Sequence, residues 1–273
     1  MPFTRVRDLE MYYETGGSGP RLLYISGTGG DLRGQPRVFD GPLPQAFEVL
    51  AYDQRGLGQT SKPDQPPYTM ADYADDAAAL LDTVGWERCA VMGVSFGGMV
   101  AQELALRYPD RVERLVLCCT SSGGQGGASY PLHELQHLSI EERAVFQLSI
   151  TDKRKDAAWQ AANPDAVRQA VDMALAGQAR RQSEPGGEMG YLRQLEARAG
   201  HDTFDRLPSL RVPTFLAGGR YDGQAEPANM ETLLDRIPGS RLEFFEGGHG
   251  FTREDPNALR RIMAFLLGEL NES

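Results

Sequence analysis

The chain has 273 residues, of which 41% are hydrophobic and 24% charged, and this length fits one α/β domain that carries an insertion. The formal net charge is −10 and the basic residues form no stripe, which argues against nucleic acid or an anionic membrane as a partner. No apolar run is long enough to cross a bilayer, and no signal-peptide-like stretch follows Arg5 and Arg7, so we expect a cytoplasmic location.

The first part of the chain alternates short apolar runs with helical patterns. The residues on either side of Met11–Tyr13 predict an opening hairpin, and four apolar runs that end in turn residues predict buried strands. These runs are Leu22–Ser26, Phe47–Tyr52, Cys89–Val94 and Leu115–Cys119. Helical spacing predicts helices over Met70–Val84, which Thr69 and Asp72 are placed to start, and over Met99–Arg107. This alternation favours a mostly parallel sheet, of about eight strands in the complete chain, with helices on both sides.

The alternation stops after Ser121. The Gly- and Ser-rich stretch Gly123–Ser129 leads into helical segments only, one of which opens with the capping-box pair Ser139 and Glu142. Others lie near residues 164–176 and 188–199. We therefore expect residues 123–200 to form a helical cap inserted into a core of residues 1–122 and 201–273.

The strand and helix pattern resumes after Arg211. Two further strands and two further helices are predicted, in the order Pro213–Ala217, Asn229–Arg236, Leu242–Phe245 and Pro256–Leu270. The three cysteines, Cys89, Cys118 and Cys119, lie in or beside apolar segments. Their number and spacing fit neither a disulfide framework nor a metal site, so we expect buried free thiols and no metal.

A serine nucleophile is predicted in the motif Gly93-Val94-Ser95-Phe96-Gly97-Gly98, which lies between a predicted strand and a predicted helix. A strand-to-helix turn this tight strains the backbone at the serine, and glycines two residues before and after it remove side chains that would collide. The motif therefore predicts that Ser95 presents its hydroxyl above the sheet. The alternative is a glycine-rich phosphate-binding or packing turn.

A serine hydroxyl needs a base and an orienting acid before it becomes a good nucleophile. Of the four histidines, only His249 follows the last predicted strand, in a glycine-rich loop, whereas the other three fall in or beside the expected cap. Asp222 follows the preceding predicted strand, which is the usual place for the acid when the three residues occur in the order serine, acid, histidine. We predict that Asp222 orients His249; the alternatives are an ordinary surface or core histidine and a turn or capping aspartate.

An oxyanion hole requires two backbone amides, one from the residue after the nucleophile and one from the loop after the third strand. These would be the amides of Phe96 and Thr28, the latter in the loop Ser26-Gly27-Thr28-Gly29-Gly30-Asp31-Leu32-Arg33. A phosphate-binding loop is the alternative, but the lysine of a P-loop is missing and the glycine spacing of a dinucleotide site is not met.

Several motifs resemble those of α/β-hydrolases in the neighbourhood of 3-oxoadipate enol-lactonase and proline iminopeptidase, and the resemblance covers nearly all of the core. They are Tyr52–Thr60 (YDQRGLGQT), Gly98–Gln102 (GMVAQ) and Tyr108–Val112 (YPDRV). The resemblance implies that Asp53 and Arg55 hold the turn after the fourth strand. Asp31-Leu32-Arg33 is more similar to the enol-lactonases, and Ser26 stands where the peptidases usually have the histidine of His-Gly-Gly.

The resemblance implies a serine hydrolase that cleaves a small carboxylic ester or lactone through an acyl-enzyme, without a cofactor. The expected partner is a small-molecule substrate, chosen by the cap, and the sequence leaves open whether the chain forms a homo-oligomer.

The scissile bond also stays open, because the same three residues could hydrolyse a C–C bond, a thioester or an aminoacyl amide. A non-catalytic small-molecule receptor on the same scaffold is a further alternative. A substrate carboxylate could be bound by Arg33 or by cap arginines, namely Arg180, Arg181, Arg193 and Arg198, although such residues more often lie on solvated faces.

Overall fold

A computed structural model describes residues 3–65 and 67–270. Its eight strands form one sheet in the order β1-β2-β4-β3-β5-β6-β7-β8. The strands are β1 Phe3–Val6, β2 Leu9–Gly16, β3 Arg21–Ile25, β4 Glu48–Tyr52, β5 Cys89–Val94, β6 Val112–Cys118, β7 Thr214–Gly219 and β8 Arg241–Phe245. The pairs β1/β2 and β2/β4 are antiparallel, and every other pair is parallel. The mostly parallel sheet predicted from the sequence is confirmed.

Ten α-helices flank or follow this sheet in the described residues. They are α1 Leu43–Ala46, α2 Met70–Thr83, α3 Phe96–Arg107, α4 Ile140–Thr151, α5 Ala157–Ala162, α6 Pro164–Ser183, α7 Gly187–Ala199, α8 Pro227–Arg236, α9 Phe251–Glu254 and α10 Pro256–Leu266. The predicted capping box at Ser139 with Glu142 is present, and Thr69 with Asp72, predicted to start α2, forms a second one. None of these helices is both long and apolar enough to span a membrane.

Consecutive side chains of the central strands enter two different apolar clusters. Val91 and Leu117 pack on the side of the sheet that α2, α3 and α8 cover. Their neighbours Met92 and Val116 pack on the side that α1 and α10 cover. A strand that is buried on both faces needs apolar residues at every position, which is why these segments read as continuous apolar runs.

Several predicted element boundaries differ from the structure. Met11–Tyr13 lies inside β2, and the hairpin turns at Arg7, whose φ is +52°. Helix α3 begins at Phe96, directly after Ser95 and inside the glycine-rich motif, rather than at Met99. The last predicted helix, Pro256–Leu270, corresponds to α10, which ends at Leu266 because Gly268 adopts φ +76°, a left-handed conformation typical of the residue that follows a helix. The short helix α9, which precedes it, was not predicted.

Parallel strands place the predicted site residues at one edge of the sheet. Strands β3, β5, β7 and β8 run in the same direction, so the loops that follow their carboxyl ends meet there. These loops contain Thr28, Ser95, Asp222 and His249 respectively. Helices α4–α7 lie between β6 and β7 in the chain, in the interval for which the sequence predicted helices only.

Candidate active site

Ser95 lies at the tight turn between β5 and α3. Its φ is +55° and its ψ −116°, a conformation that costs energy for a residue with a side chain. A Cβ atom at Gly93 would lie 2.3 Å from the backbone oxygen of Gly97, and one at Gly97 would lie 2.1 Å from that of Ile25. The turn can therefore close only with glycine at both positions, as the motif predicted.

The structure brings Ser95, His249 and Asp222 together across 154 residues of sequence. His249 Nε2 lies 3.0 Å from Ser95 Oγ, and His249 Nδ1 lies 2.7 Å from Asp222 Oδ2. Asp222 is fully buried, and its Oδ1 accepts hydrogen bonds from the backbone amides of Gln224 and Ala225. The carboxylate is thus an acceptor on both oxygens, which requires that His249 Nδ1 donate.

The end of α4 supports the loops that carry the histidine and the aspartate. The His249 amide donates to the Thr151 carbonyl at 2.6 Å, and the Gly223 amide donates to the Ile150 carbonyl at 2.9 Å. Sequence analysis missed these contacts, because backbone hydrogen bonds between distant segments leave no residue signature. The segment after β6 therefore supports the site in addition to lying beside it.

The loop after β3 is held from two directions. Gln54 Nε2 donates to the Ser26 carbonyl at 2.8 Å, and the Gly29 amide donates to Oε1 of the fully buried Gln194 on α7 at 2.8 Å. The amides of Thr28 and Phe96 donate no hydrogen bond to any described residue. The oxyanion hole that the sequence indicates at these two amides stays a prediction.

Asp53 and Arg55 hold the turn after β4, as their family resemblance implied. Asp53 accepts hydrogen bonds from the amides of Leu32, at 2.7 Å, and Gln59, at 2.8 Å, so it ties this turn to the loop after β3. Burial raises the pKa of Asp53 to about 6. The buried Arg55 forms ion pairs with Asp76 and Asp8.

Gln224 is a contact of the imidazole that sequence analysis did not identify. Its side-chain Nε2 lies 2.9 Å from His249 Nε2, the same ring nitrogen that faces Ser95. Its position two residues after Asp222 was visible in the sequence, but nothing there indicated that its amide would turn back to the histidine.

A cavity of about 760 Å³ opens in front of Ser95 and His249, within the usual size range of small-molecule sites. Its wall combines apolar residues of the sheet side, such as Tyr24, Met92 and Leu43, with Tyr191 and Gln147 from the helices between β6 and β7. Burial raises the pKa of Tyr24 to about 12, so its hydroxyl stays protonated. The wall is mixed in polarity, because besides Ser95, His249 and Gln224 it includes the charged side chains of Arg37, Asp40, Arg181 and Arg253.

The arginines considered for substrate binding occupy different positions. Of the five, Arg181 alone lines the cavity in the described residues, where its guanidinium stacks 4.4 Å from the centre of the Tyr191 ring. Arg33 pairs with Asp31 and Glu184, and Arg193 donates to backbone carbonyls. Arg198 is buried and donates to the Tyr130 carbonyl and the Ser129 hydroxyl.

All three cysteines are free and buried, as predicted. The Cys119 thiol lies within 4.8 Å of potential ligand atoms of Asp222 and His249, so these three groups form a candidate metal set. Burial raises the pKa of Cys119 well above its ordinary value, which opposes the thiolate that a metal would require. The 2.7 Å contact between Asp222 and His249 also fits a direct hydrogen bond better than two ligands of one ion.

Comparison with known proteins assigns the family. A family model described as alpha/beta hydrolase fold matches residues 20–256. The chain belongs to the α/β-hydrolase family. This confirms the family resemblance and the fold class predicted from the sequence.

Two relatives and one solved structure illustrate this membership. The hydrolase is 27% identical over 274 residues to a relative from Azorhizobium caulinodans named as a carbamate hydrolase, RutD, with 100% of both chains covered. It is 30% identical over 249 residues to the poly(3-hydroxyalkanoate) depolymerase of Ectopseudomonas oleovorans, with 91% of this chain and 84% of the relative covered. The enol-lactonase from Burkholderia xenovorans LB400 has the same fold, with a TM-score of 0.77 at 24% identity over 98% of this chain and 100% of that one. The family and the names of these relatives support hydrolase activity.

Proposed function

We propose that the protein is a serine hydrolase that cleaves a small carboxylic ester or lactone through an acyl-enzyme on Ser95. The observation that carries this proposal is the continuous hydrogen-bonded path from Ser95 Oγ through His249 to the buried Asp222, with contacts of 3.0 and 2.7 Å. A hydroxyl, an imidazole and a carboxylate in this order are the groups that nucleophilic acyl transfer needs.

In the proposed first step, Ser95 Oγ attacks the substrate carbonyl carbon and its proton passes to His249 Nε2. The negative oxygen of the tetrahedral intermediate accepts hydrogen bonds from the amides of Thr28 and Phe96. The imidazolium then gives its proton to the leaving oxygen, and the acyl group stays on Ser95. Asp222 remains ionised and stabilises the imidazolium throughout.

In the second step, water attacks the acyl-enzyme while His249 takes one of its protons. The collapse of the second tetrahedral intermediate returns that proton to Ser95 Oγ and releases the carboxylic acid. None of the residues in this scheme requires a cofactor for either step.

We further propose that residues 123–200 form a cap that helps to choose the substrate. The support is that Leu132, Gln147, Thr151, Arg181 and Tyr191, all from this interval, line the cavity in front of Ser95. Changes to these side chains should alter the preference among esters while leaving the reaction with the smallest ester least affected.

The first test is a burst of 4-nitrophenol from 4-nitrophenyl acetate at high enzyme concentration. The wild type should release about one equivalent rapidly, and Ser95→Ala should release none. Ser209→Ala, which removes an exposed serine, is the control and should behave as the wild type does. A protein that neither hydrolyses any ester nor reacts with a fluorophosphonate would instead support a small-molecule receptor.

The second test identifies the scissile bond. A panel of esters, lactones, thioesters, aminoacyl amides and C–C bond substrates separates the reactions that the same three residues could perform. The relatives' names add a carbamate and hydroxyalkanoate oligomers to this panel. The proposal predicts the highest kcat/KM with an ester or lactone, and a clear preference for any other bond would replace it.

A further inference from the structure

The imidazole of His249 has a single lone pair available in its neutral form. Asp222 Oδ1 is occupied by two backbone amides, and its Oδ2 faces His249 Nδ1 at 2.7 Å, so Nδ1 carries the proton. The lone pair is therefore on Nε2. Any group that donates a hydrogen bond to the neutral ring from the cavity must use this one acceptor site.

Two donors approach that lone pair. Ser95 Oγ lies 3.0 Å from His249 Nε2, and Gln224 Nε2 lies 2.9 Å from the same atom. Hydrogen bonds weaken steeply away from linear geometry, so one lone pair cannot accept two well-aligned donors at once. Attack by Ser95 requires that its own hydroxyl be the aligned donor.

The backbone of Gln224 is fixed, whereas its side chain is weakly held. The backbone amide donates to Asp222 Oδ1, and the backbone carbonyl accepts from the Tyr130 amide at 2.7 Å. Within residues 3–65 and 67–270, the side-chain amide makes a hydrogen bond to His249 alone. Gln224 is 7% exposed and lines the cavity, so its amide can rotate into that space without movement of the loop.

We propose that Gln224 is a positioning residue that controls access to the general base: its amide competes with Ser95 for His249 Nε2, and a productive substrate displaces it. This inference rests on the proposed function and adds to it a fourth residue at the reacting nitrogen. The leaving oxygen and the hydrolytic water must each come within hydrogen-bond distance of His249 Nε2. Each of them therefore has to occupy the position of the Gln224 side-chain amide. Substrates that fill the cavity next to Gln224 displace its side-chain amide with their binding energy. Small reagents do not displace it, so they react only when the amide has rotated away.

Gln224→Met tests the competition, because methionine has a similar length and no amide. The measurement is the second-order rate constant for reaction of Ser95 with a small fluorophosphonate at pH 7. Loss of one competing hydrogen bond should raise this constant roughly fivefold. A constant that is unchanged or lower would overturn the proposal, provided that the variant unfolds at the same temperature as the wild type.

Gln224→Glu tests the contact through the pH profile, which a merely structural role would not move. A carboxylate against Nε2 favours the imidazolium, so the acid limb of kcat/KM for 4-nitrophenyl acetate should shift to higher pH by about one unit or more. Gln147→Glu is the matched control, since Gln147 lines the same cavity without a hydrogen bond to His249. The control should shift the limb by less than half as much, and equal shifts in both variants would show that Gln224 has no special contact.

The same experiments separate this inference from the proposed function. If wild-type protein hydrolyses the ester with Ser95 and both Gln224 variants behave like it, only the role of Gln224 is lost. If no Ser95-dependent turnover or labelling exists in the wild type, the proposed function fails and the role of Gln224 fails with it.

Discussion

Replacement of Asp222 by asparagine should abolish most of the activity while leaving the fold intact. The carboxylate has two separate tasks: Oδ1 accepts from the amides of Gln224 and Ala225, and Oδ2 accepts from His249 Nδ1. Asparagine has one oxygen and one NH₂ group. The two amides need an acceptor, so the oxygen should stay with them and the NH₂ group should face the imidazole.

The magnitude follows from the tautomer that this arrangement imposes. An NH₂ group opposite Nδ1 requires Nδ1 to accept, which places the proton on Nε2 and removes the lone pair that must take the proton of Ser95. Loss of the correct tautomer and of the buried negative charge lowers kcat by on the order of a thousandfold or more, or about 4 kcal/mol of activation free energy.

The assay is kcat/KM for 4-nitrophenyl acetate, measured with the midpoint of thermal unfolding of the same preparation. Asp235→Asn, an exposed aspartate on α8, is the control and should retain full activity. Activity of the Asp222 variant within tenfold of the wild type would refute the reasoning, because some other group would then have to orient His249.

Four further variants test the structure around the site. Gly97→Ala should destabilise the fold by about 1–3 kcal/mol in urea unfolding, because its Cβ would meet the backbone oxygen of Ile25 at 2.1 Å. Gly177 on α6 has room for a Cβ, so Gly177→Ala should stabilise the fold by about 0.5–1 kcal/mol. Burial lowers the pKa of His201 to about 4, so between pH 6.5 and 4 the unfolded chain binds more protons than the folded chain does. The free energy of unfolding therefore decreases as the pH falls through that window. His201→Gln should make this decrease smaller by about 3 kcal/mol. Gln194→Leu leaves the Gly29 amide, in the loop after β3, without its acceptor. It should lower kcat about tenfold with a smaller change in KM. An unchanged kcat would show that this loop does not need the hydrogen bond from Gln194.

Local patterns were sufficient to predict the elements that position the site. The apolar runs at Cys89–Val94 and Leu115–Cys119 predicted β5 and β6 to within a few residues, because strands buried on both faces need apolar side chains throughout. The boundaries failed where several local conformations are compatible with the same residues. The last helix is an example, since the apolar pattern continues to Leu270 while the backbone leaves the helix at Gly268.

The sequence by itself determined the chemical groups and indicated the type of turn or loop that carries two of them. The glycine-flanked turn at Ser95 and the glycine-rich loop of His249 can be recognised from a few consecutive residues. The tertiary structure alone decided which groups meet: the end of α4 against the histidine loop, Gln194 against the loop after β3, and Gln224 against His249 Nε2. These contacts join segments brought together by sheet topology and packing, and short polar contacts of this kind leave no periodic or compositional signal in the chain.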